Sequence, residues 1–231
     1  KEILESIGEI ACKNNIYVIS DEIYEKLIYD GQVHYSMAGL SEEIFERTIT
    51  VNGVSKAYAM TGWRLGWAIG DEKFIETMAR IQAHQTSNAC TISQHATLAA
   101  LDNADDFVAG IAPLIRKRRD AAMEFLKQLP QFKPIYPAGA FYIYCDVREL
   151  LGEKFVSSQA LVEYLLNEAL VATVPGEAFG TPGFIRMSIA INKETIEKAI
   201  NRERCGQIIK CSTIYGLFLG CKRGYPVLQI G

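Results

Sequence analysis

The sequence predicts an α/β fold, because stretches with helical periodicity alternate along it with short apolar strands. Three observations support this prediction. Apolar residues recur at helical spacing over positions 1–11, and a β-branched run follows at 16–19. Two more apolar runs, at 48–52 and 65–69, are bounded by turn-forming glycine. A second series of helices and strands begins after residue 105 and indicates a second domain.

The first domain is predicted to span residues 1–105. Its first helix leads into the strand at 16–19, which we expect to be buried because the run is apolar and β-branched. A long helical pattern later extends from 72 to 101 and is interrupted near Ser87 and Asn88, which indicates two consecutive helices.

The second domain is predicted to span residues 106–204 and to be smaller, again with helices and strands in alternation. Its predicted elements are a helix to about residue 129, a strand at 140–147, a helix at 157–170, apolar runs at 171–174 and 184–191, and a helix from 193. The last helix loses its pattern after Arg204. Residues 205–231 hold half of the six cysteines and show no clear period, so we interpret them as an atypical tail.

Composition narrows the possible partners. The net charge of −3 and the isoelectric point near 5.7 argue against a nucleic-acid surface, which needs a concentrated basic patch, and favour a small molecule. We interpret the one basic run, Arg116–Arg119, as a solvated helix face. The chain has no apolar stretch of membrane-spanning length, residues 1–11 are amphipathic and unlike a secretory signal, and the cysteines lack zinc spacing. A cytoplasmic protein with reduced thiols, no membrane association and no metal is predicted.

Lys56 lies in the most informative stretch, residues 52–66, which reads NGVSKAYAMTGWRLG. A lysine that forms a Schiff base needs a neutral amine, and burial among apolar groups favours that form. The small residues around Lys56 leave room for a flat ring, and the guanidinium of Arg64 is suited to bidentate hydrogen bonding of a phosphate. Either residue alone would more often be a surface lysine or a structural arginine.

Asp21 begins the second informative stretch, because it directly follows the predicted strand at 16–19. Ligands of α/β sheets bind at the carboxyl ends of strands, so this carboxylate is expected to face a ligand crevice. A carboxylate beside a pyridine nitrogen would keep the ring protonated and so make it an electron sink. Tyr24 could donate a hydrogen bond to an oxygen of the same ring. The competing interpretation is that Ser20 or Asp21 caps a helix.

The two stretches together resemble class I aminotransferases of fold type I, particularly the bacterial aspartate and prephenate group. The strings that carry the resemblance are SDEIYEKLIYDG and TVNGVSKAYAMTGWRLGWAIG. The resemblance implies the cofactor pyridoxal 5′-phosphate, held covalently by Lys56, with Asp21 at the pyridine nitrogen and Tyr24 at the ring oxygen. It also implies that Arg64 holds the phosphate and gives Ser55 a weak cofactor-binding role.

A third stretch of the same resemblance is GFIRMS, at 183–188. It implies that Arg186 binds the α-carboxylate of the substrate. The implied fold is the carboxy-terminal part of the large cofactor domain, a mostly parallel sheet flanked by helices, plus a small α/β domain. Amino acids and 2-oxo acids are the implied substrates, and a homodimer is the implied assembly. His34 lies in a loop of the matching region, and no histidine is a candidate for catalysis.

The resemblance covers about residues 1–204, and family members are typically longer. We therefore expect a carboxy-terminal fragment that lacks the phosphate loop and the ring-stacking aromatic residue, and whose first strand leaves an open sheet edge. Two alternatives stay open. One is another fold-type-I enzyme, such as a carbon–sulfur β-lyase, which shares the lysine chemistry. The other is a non-catalytic remnant that keeps the motif without holding the cofactor.

Overall fold

A computed structural model describes residues 1–205, with side chains described up to residue 202. The predicted tail at 205–231 therefore lies, except for the backbone of Cys205, outside the described residues. The chain divides into two compact units, the first formed by Lys1–Leu114 with Ala138–Ala140, and the second by Ile115–Pro137 with the chain from Phe141 onward. The predicted α/β class is confirmed by the fold, whereas the predicted domain limits remain a prediction.

The first unit contains a three-stranded sheet with helices before and after it. Its elements in chain order are α1 Glu2–Lys13, β1 Val18–Asp21, α2 Glu42–Phe45, β2 Thr48–Gly53, β3 Gly66–Ile69, α3 Glu72–Thr86 and α4 Thr91–Asn103. The strand order is β1-β2-β3, in which β1 and β2 are parallel and β3 is antiparallel to β2. The break predicted between two helices is present, since Ser87 adopts a left-handed φ of 61° after α3.

The burial predicted for the first strand is wrong. Within the described sheet β1 lies at the edge, as expected, but Ile19 is 73% exposed and Ile16 is 52% exposed. The strand also begins two residues later than predicted. The amide of Ile16 still donates to the carbonyl of Ala11, and Asn15 has a left-handed φ of 55°, so this stretch forms the turn that ends α1.

The second unit contains a four-stranded antiparallel sheet with the order β4-β5-β7-β6. Its elements are the later part of α5 Asp105–Leu126, then β4 Lys133–Ile135, β5 Tyr142–Asp146, α6 Ser158–Tyr164, β6 Val174–Pro175, β7 Phe184–Ser188 and α7 Lys193–Cys205. The side chains of Leu129, Leu161, Leu165 and Ile185 are completely buried and form much of its core. A π-helical turn at Leu165–Ala169 extends α6 and replaces the last part of the predicted helix.

Arg119 departs from the solvated helix face predicted for residues 116–119, because it is only 1% exposed. Its Nη1 donates to the carbonyl of Pro137 at 3.0 Å, and its Nη2 is 2.7 Å from Oδ1 of Asp120. The guanidinium carbon lies 4.4 Å from the ring centroid of Tyr136. A buried arginine is stable when its donors are used in this way. Among the described residues, no helix is long and apolar enough to cross a bilayer.

Candidate active site

The sheet of the first unit brings the predicted cofactor residues to one edge. This edge is formed by the carboxyl ends of β1 and β2, and it is not the lateral edge along β1. Asp21 is the last residue of β1 and pairs with Val51 of the parallel strand β2. Since β2 ends at Gly53 and β3 begins opposite it at Gly66, the segment that carries Lys56 leaves from this edge and the segment that carries Arg64 returns to it. Carboxyl ends of parallel strands are where α/β sheets bind ligands.

Two facing glycines hold β2 and β3 close together at this edge. A Cβ atom on Gly53 would lie 2.9 Å from Cα of Gly66 and 2.9 Å from the carbonyl oxygen of Leu65. A Cβ on Gly66 would lie 2.8 Å from the carbonyl oxygen of Asn52. These distances are shorter than van der Waals contact, so only glycine permits this approach of the two backbones.

The Asp21 side chain begins a tight turn. Its Oδ1 accepts a hydrogen bond from the amide of Ile23 at 3.2 Å, and the side chain is exposed. The competing interpretation, a helix cap, is not what is observed, since turns rather than a helix follow at 23–26. Asp21 therefore lies at the sheet edge with its carboxylate in contact with its own loop.

Lys56 is half-buried, and its Nζ lies 5.9 Å from the centroid of the Tyr24 ring. The two residues follow different strands, so this contact brings together two of the side chains predicted to bind one ring. Ser55 precedes the lysine and is also half-buried. Val54 and Ala57, on either side of Ser55 and Lys56, are buried and anchor the turn to the unit.

Arg64 is exposed and has a left-handed φ of 52°, which is uncommon for a residue with a side chain. Its Nη1 donates to the carbonyl of Thr61 at 2.9 Å, so the guanidinium folds back on the loop just before β3. This arrangement leaves a cation at the same sheet edge as Lys56, in a position where an anion can reach it.

Arg186 lies in the second unit, on β7. Its guanidinium carbon is 4.3 Å from the ring centroid of Tyr142 and 4.6 Å from that of Phe179. No acidic side chain of the described residues forms an ion pair with it. Two aromatic rings thus hold an arginine whose charge remains available for a carboxylate. Tyr142 lies in the strand predicted at 140–147, but the sequence prediction gave neither ring a role.

Glu22 is the functional candidate that sequence reasoning missed in the first unit. Its carboxylate is buried, and its Oε1 accepts hydrogen bonds from Ser20 Oγ at 2.9 Å, Ser36 Oγ at 3.0 Å and the Met37 amide at 3.1 Å. Its Oε2 lies 2.9 Å from Nε2 of His34. Burial alone would raise the pKa of Glu22, but these hydrogen bonds outweigh burial and lower it.

Glu22, Glu25 and His34 are the one group of described side chains whose donor atoms lie close enough together to surround a metal ion. The oxygens of Glu22 already accept four hydrogen bonds, however, so the arrangement is explained without an ion.

An apolar cavity of about 560 Å³ lies in the second unit, lined by residues such as Leu166, Ile189 and Ile200. It contains no carboxylate, and we do not regard it as the candidate active site.

Comparison with known proteins gives a consistent result. The family model for aminotransferase class I and II matches residues 1–202. An aspartate aminotransferase of Bacillus sp. (strain YM-2) is 43% identical over 203 residues, which cover 87% of this chain and 52% of that protein. A probable aspartate/prephenate aminotransferase of Rickettsia felis is 41% identical over 224 residues, which cover 93% of this chain and 55% of that protein.

Two solved structures are similar to the fold as well. An aromatic aminotransferase from Pyrococcus horikoshii OT3 matches with a TM-score of 0.84 at 37% identity, over 91% of this chain and 56% of that one. An aspartate aminotransferase from Thermus thermophilus with maleate matches with a TM-score of 0.81 at 39% identity, over 89% of this chain and 52% of that one. The chain thus spans about half the length of the relatives it matches.

Proposed function

Because the chain belongs to the aminotransferase class I and II family, we propose that it carries the cofactor-binding residues of a pyridoxal-phosphate aminotransferase. The proposed reaction moves an amino group from an amino acid to a 2-oxo acid. The observation that carries the proposal is the half-buried Lys56, which extends from the carboxyl end of β2 to within 5.9 Å of the Tyr24 ring. A homodimeric assembly and a cytoplasmic location are part of the proposal and rest on the family.

The residues of the sheet edge fit the chemistry of the cofactor. Pyridoxal phosphate, when bound, supplies an electron sink for the electron pair left when the substrate's α-proton departs. Lys56 Nζ is the amine that would hold the cofactor and that, once displaced by substrate, would take this proton as a general base. Asp21 would hold a proton on the pyridine nitrogen, and the Tyr24 hydroxyl would donate to the ring oxygen.

Anions are bound in this proposal by the two arginines. Arg64 would bind the phosphate through its exposed guanidinium, with a smaller contribution from the Ser55 hydroxyl. Arg186 would bind the α-carboxylate of the substrate, for which its place between Tyr142 and Phe179 supplies a fixed orientation. A carboxylate held in one orientation limits the motion of the bound substrate, which is a positioning effect on the rate.

Cofactor uptake by the chain is the direct test. We expect added pyridoxal phosphate to produce a yellow absorbance, and borohydride reduction to attach the cofactor to the peptide that contains Lys56. Lys56→Ala should abolish this attachment. Lys26→Ala removes an exposed lysine of the same unit and should leave it unchanged. Equal labelling of both variants, or no colour with the wild-type chain, would contradict the proposal and favour a non-catalytic remnant.

The reaction type needs a second measurement. The cofactor-loaded chain is incubated with single amino acids, and both the keto acid and ammonia are measured. Transfer predicts one half-turnover of keto acid without ammonia, and continued turnover only when a 2-oxo acid is added. Release of ammonia in equal amount to keto acid would instead support a β-lyase.

A further inference from the structure

Glu22 is the residue on which this inference depends, because it directly follows Asp21 and its carboxylate is enclosed. The residue is 7% exposed, whereas Asp21 is exposed. Glu22 directly follows β1 and its amide still donates to the neighbouring strand, so its side chain and that of Asp21 point to opposite faces. The Asp21 carboxylate therefore faces outward at the sheet edge while that of Glu22 enters the unit.

The buried carboxylate connects the end of β1 to a segment twelve to fifteen residues later. Ser20 reaches Oε1 from the strand itself, and Ser36 and the Met37 amide reach the same oxygen from the start of the 3₁₀ turn Met37–Gly39. His34 reaches Oε2 from the loop before that turn. Each carboxylate oxygen thus has a defined donor, which fixes the Glu22 side chain in one orientation.

The main chain transmits this restraint to Asp21. The amide of Glu22 donates to the carbonyl of Val51 at 2.9 Å, immediately after the residue pair Asp21–Val51 in the parallel ladder. The amide of Ile23, one residue further, donates to Oδ1 of Asp21. The backbone on the carboxyl side of Asp21 is therefore held by a ladder hydrogen bond and by the Glu22 side chain, which accepts hydrogen bonds from four donors.

We infer that Glu22 is a positioning residue for Asp21: its hydrogen-bonded carboxylate sets the orientation in which the Asp21 carboxylate meets the pyridine nitrogen of the cofactor. This inference rests on the proposed function for its chemical consequence. The coupling of Glu22 to the Asp21 turn is a structural observation and does not depend on the proposed function.

A buried carboxylate is not needed merely to close the loop that follows β1. Burial of an ionised group is unfavourable unless it is fully hydrogen-bonded, and a surface loop can be closed without one. Removal of Glu22 leaves four donors without an acceptor at the strand end that carries Asp21. We expect the loop to rearrange there and the Asp21 turn to loosen.

The first experiment needs no cofactor. Amide hydrogen exchange of Ile23 reports the hydrogen bond to Asp21 directly. We expect at least tenfold faster exchange at Ile23 in Glu22→Ala than in the wild-type chain, and no change in Glu25→Gln. Glu25 is the matched control because it lies in the same turn but gives none of the hydrogen bonds made by Glu22. Unchanged exchange at Ile23 in Glu22→Ala would overturn the inference.

The second experiment uses the cofactor-loaded chain and measures pyridoxal-phosphate affinity and the pH at which the absorbance of the bound cofactor changes. Glu22→Ala should weaken binding about tenfold and move that pH in the same direction as Asp21→Asn, because both disturb the charge at the pyridine nitrogen. In the Asp21→Asn background, Glu22→Ala should change the affinity less than twofold, since the residue through which it acts is already altered.

Two outcomes oppose the inference at this stage. Effects of Glu22→Ala and Asp21→Asn that multiply in the double variant would show independent roles, and a change only in the melting temperature would show a structural role alone. If Glu22→Ala does not fold, Glu22→Gln decides both experiments, because its amide oxygen keeps the acceptor for Ser20, Ser36 and Met37 while its amide nitrogen replaces the acceptor that His34 uses. Faster exchange at Ile23 is then still expected, and unchanged exchange would overturn the inference. Failure of the wild-type chain to bind cofactor would refute the proposed function, while the Ile23 exchange would still decide the role of Glu22.

Discussion

The contact between Gly53 and Gly66 predicts a large effect for the smallest possible side chain. In Gly53→Ala the added Cβ would lie 2.9 Å from Cα of Gly66 and 2.9 Å from the carbonyl oxygen of Leu65. Carbon atoms normally approach to about 3.5 Å, so the carbon contact falls short by about 0.6 Å. Both neighbours are backbone atoms, one in β3 and one in the residue just before it, so no side-chain rotation relieves the overlap.

The strands β2 and β3 must therefore move apart locally, which weakens their hydrogen bonds as well. Overpacking of this kind typically costs about 1–3 kcal/mol in the free energy of unfolding. Gly62→Ala is the matched control, because no atom lies within 4 Å of its added Cβ. We expect the control to change the free energy of unfolding by less than about 0.5 kcal/mol.

Urea denaturation followed by tryptophan fluorescence measures the difference. The chain has two tryptophans, Trp63 and Trp67, and both belong to the first unit, so the signal reports the unit that contains the mutation. The distance between β2 and β3 also sets how far apart the segments of Lys56 and Arg64 leave the sheet. Cofactor uptake should therefore fall along with stability. Equal unfolding midpoints for Gly53→Ala and Gly62→Ala would refute the argument from backbone approach.

Three further predictions concern the second unit. Leu165→Ala should lower the free energy of unfolding by about 2–5 kcal/mol because Leu165 is completely buried. Leu166→Ala is the control, and it should cost far less because Leu166 is 47% exposed. Amide hydrogen exchange in β5 measures the loss of stability in the two variants. Hydrogen bonds from Arg148 lower the pKa of Asp146 to about 2 from a usual 3.8, so this pair contributes stability above pH 4 that is lost as the pH falls toward 2. Arg148→Ala should return the pKa of Asp146 toward 3.8 in an NMR titration, and an unchanged value would count against the pair. In the cofactor-loaded chain, Arg186→Lys should raise the dissociation constant of a dicarboxylate about tenfold by calorimetry, while Arg202→Lys, an exposed arginine of α7, should not.

Periodicity in the sequence was sufficient to predict most elements, because the local signals are strong. The break at Ser87 and the strands that became β2 and β3 lie within about two residues of their predicted positions. Burial was less predictable. A β-branched run such as 16–19 is equally compatible with a buried strand and with an exposed edge strand, because the pattern does not state which neighbours cover it. Arg119 shows the converse, since it is buried and two of its partners come from residues 136–137, beyond the end of its own helix.

The candidate site shows the same division between local and distant information. Lys56 and Asp21 stand in contiguous motifs and could be selected from the sequence, and their roles remain predictions. The importance of Glu22 could not be predicted, because its acceptor role depends on His34 and Ser36, which are 12 and 14 residues away, and no local pattern links the three positions. An acidic residue after a strand is common, and only the folded loop distinguishes this one.

The facing glycines also bear on how the site would respond to sequence change. The separation of the strands from which Lys56 and Arg64 emerge is determined by main-chain atoms in direct contact, not by the shape of side chains between them. Substitutions on the outer faces of these strands can therefore accumulate without altering the spacing of the two strand ends. In the proposed function, such a frame would let substrate preference diverge while the spacing between the proposed cofactor residues stays constant.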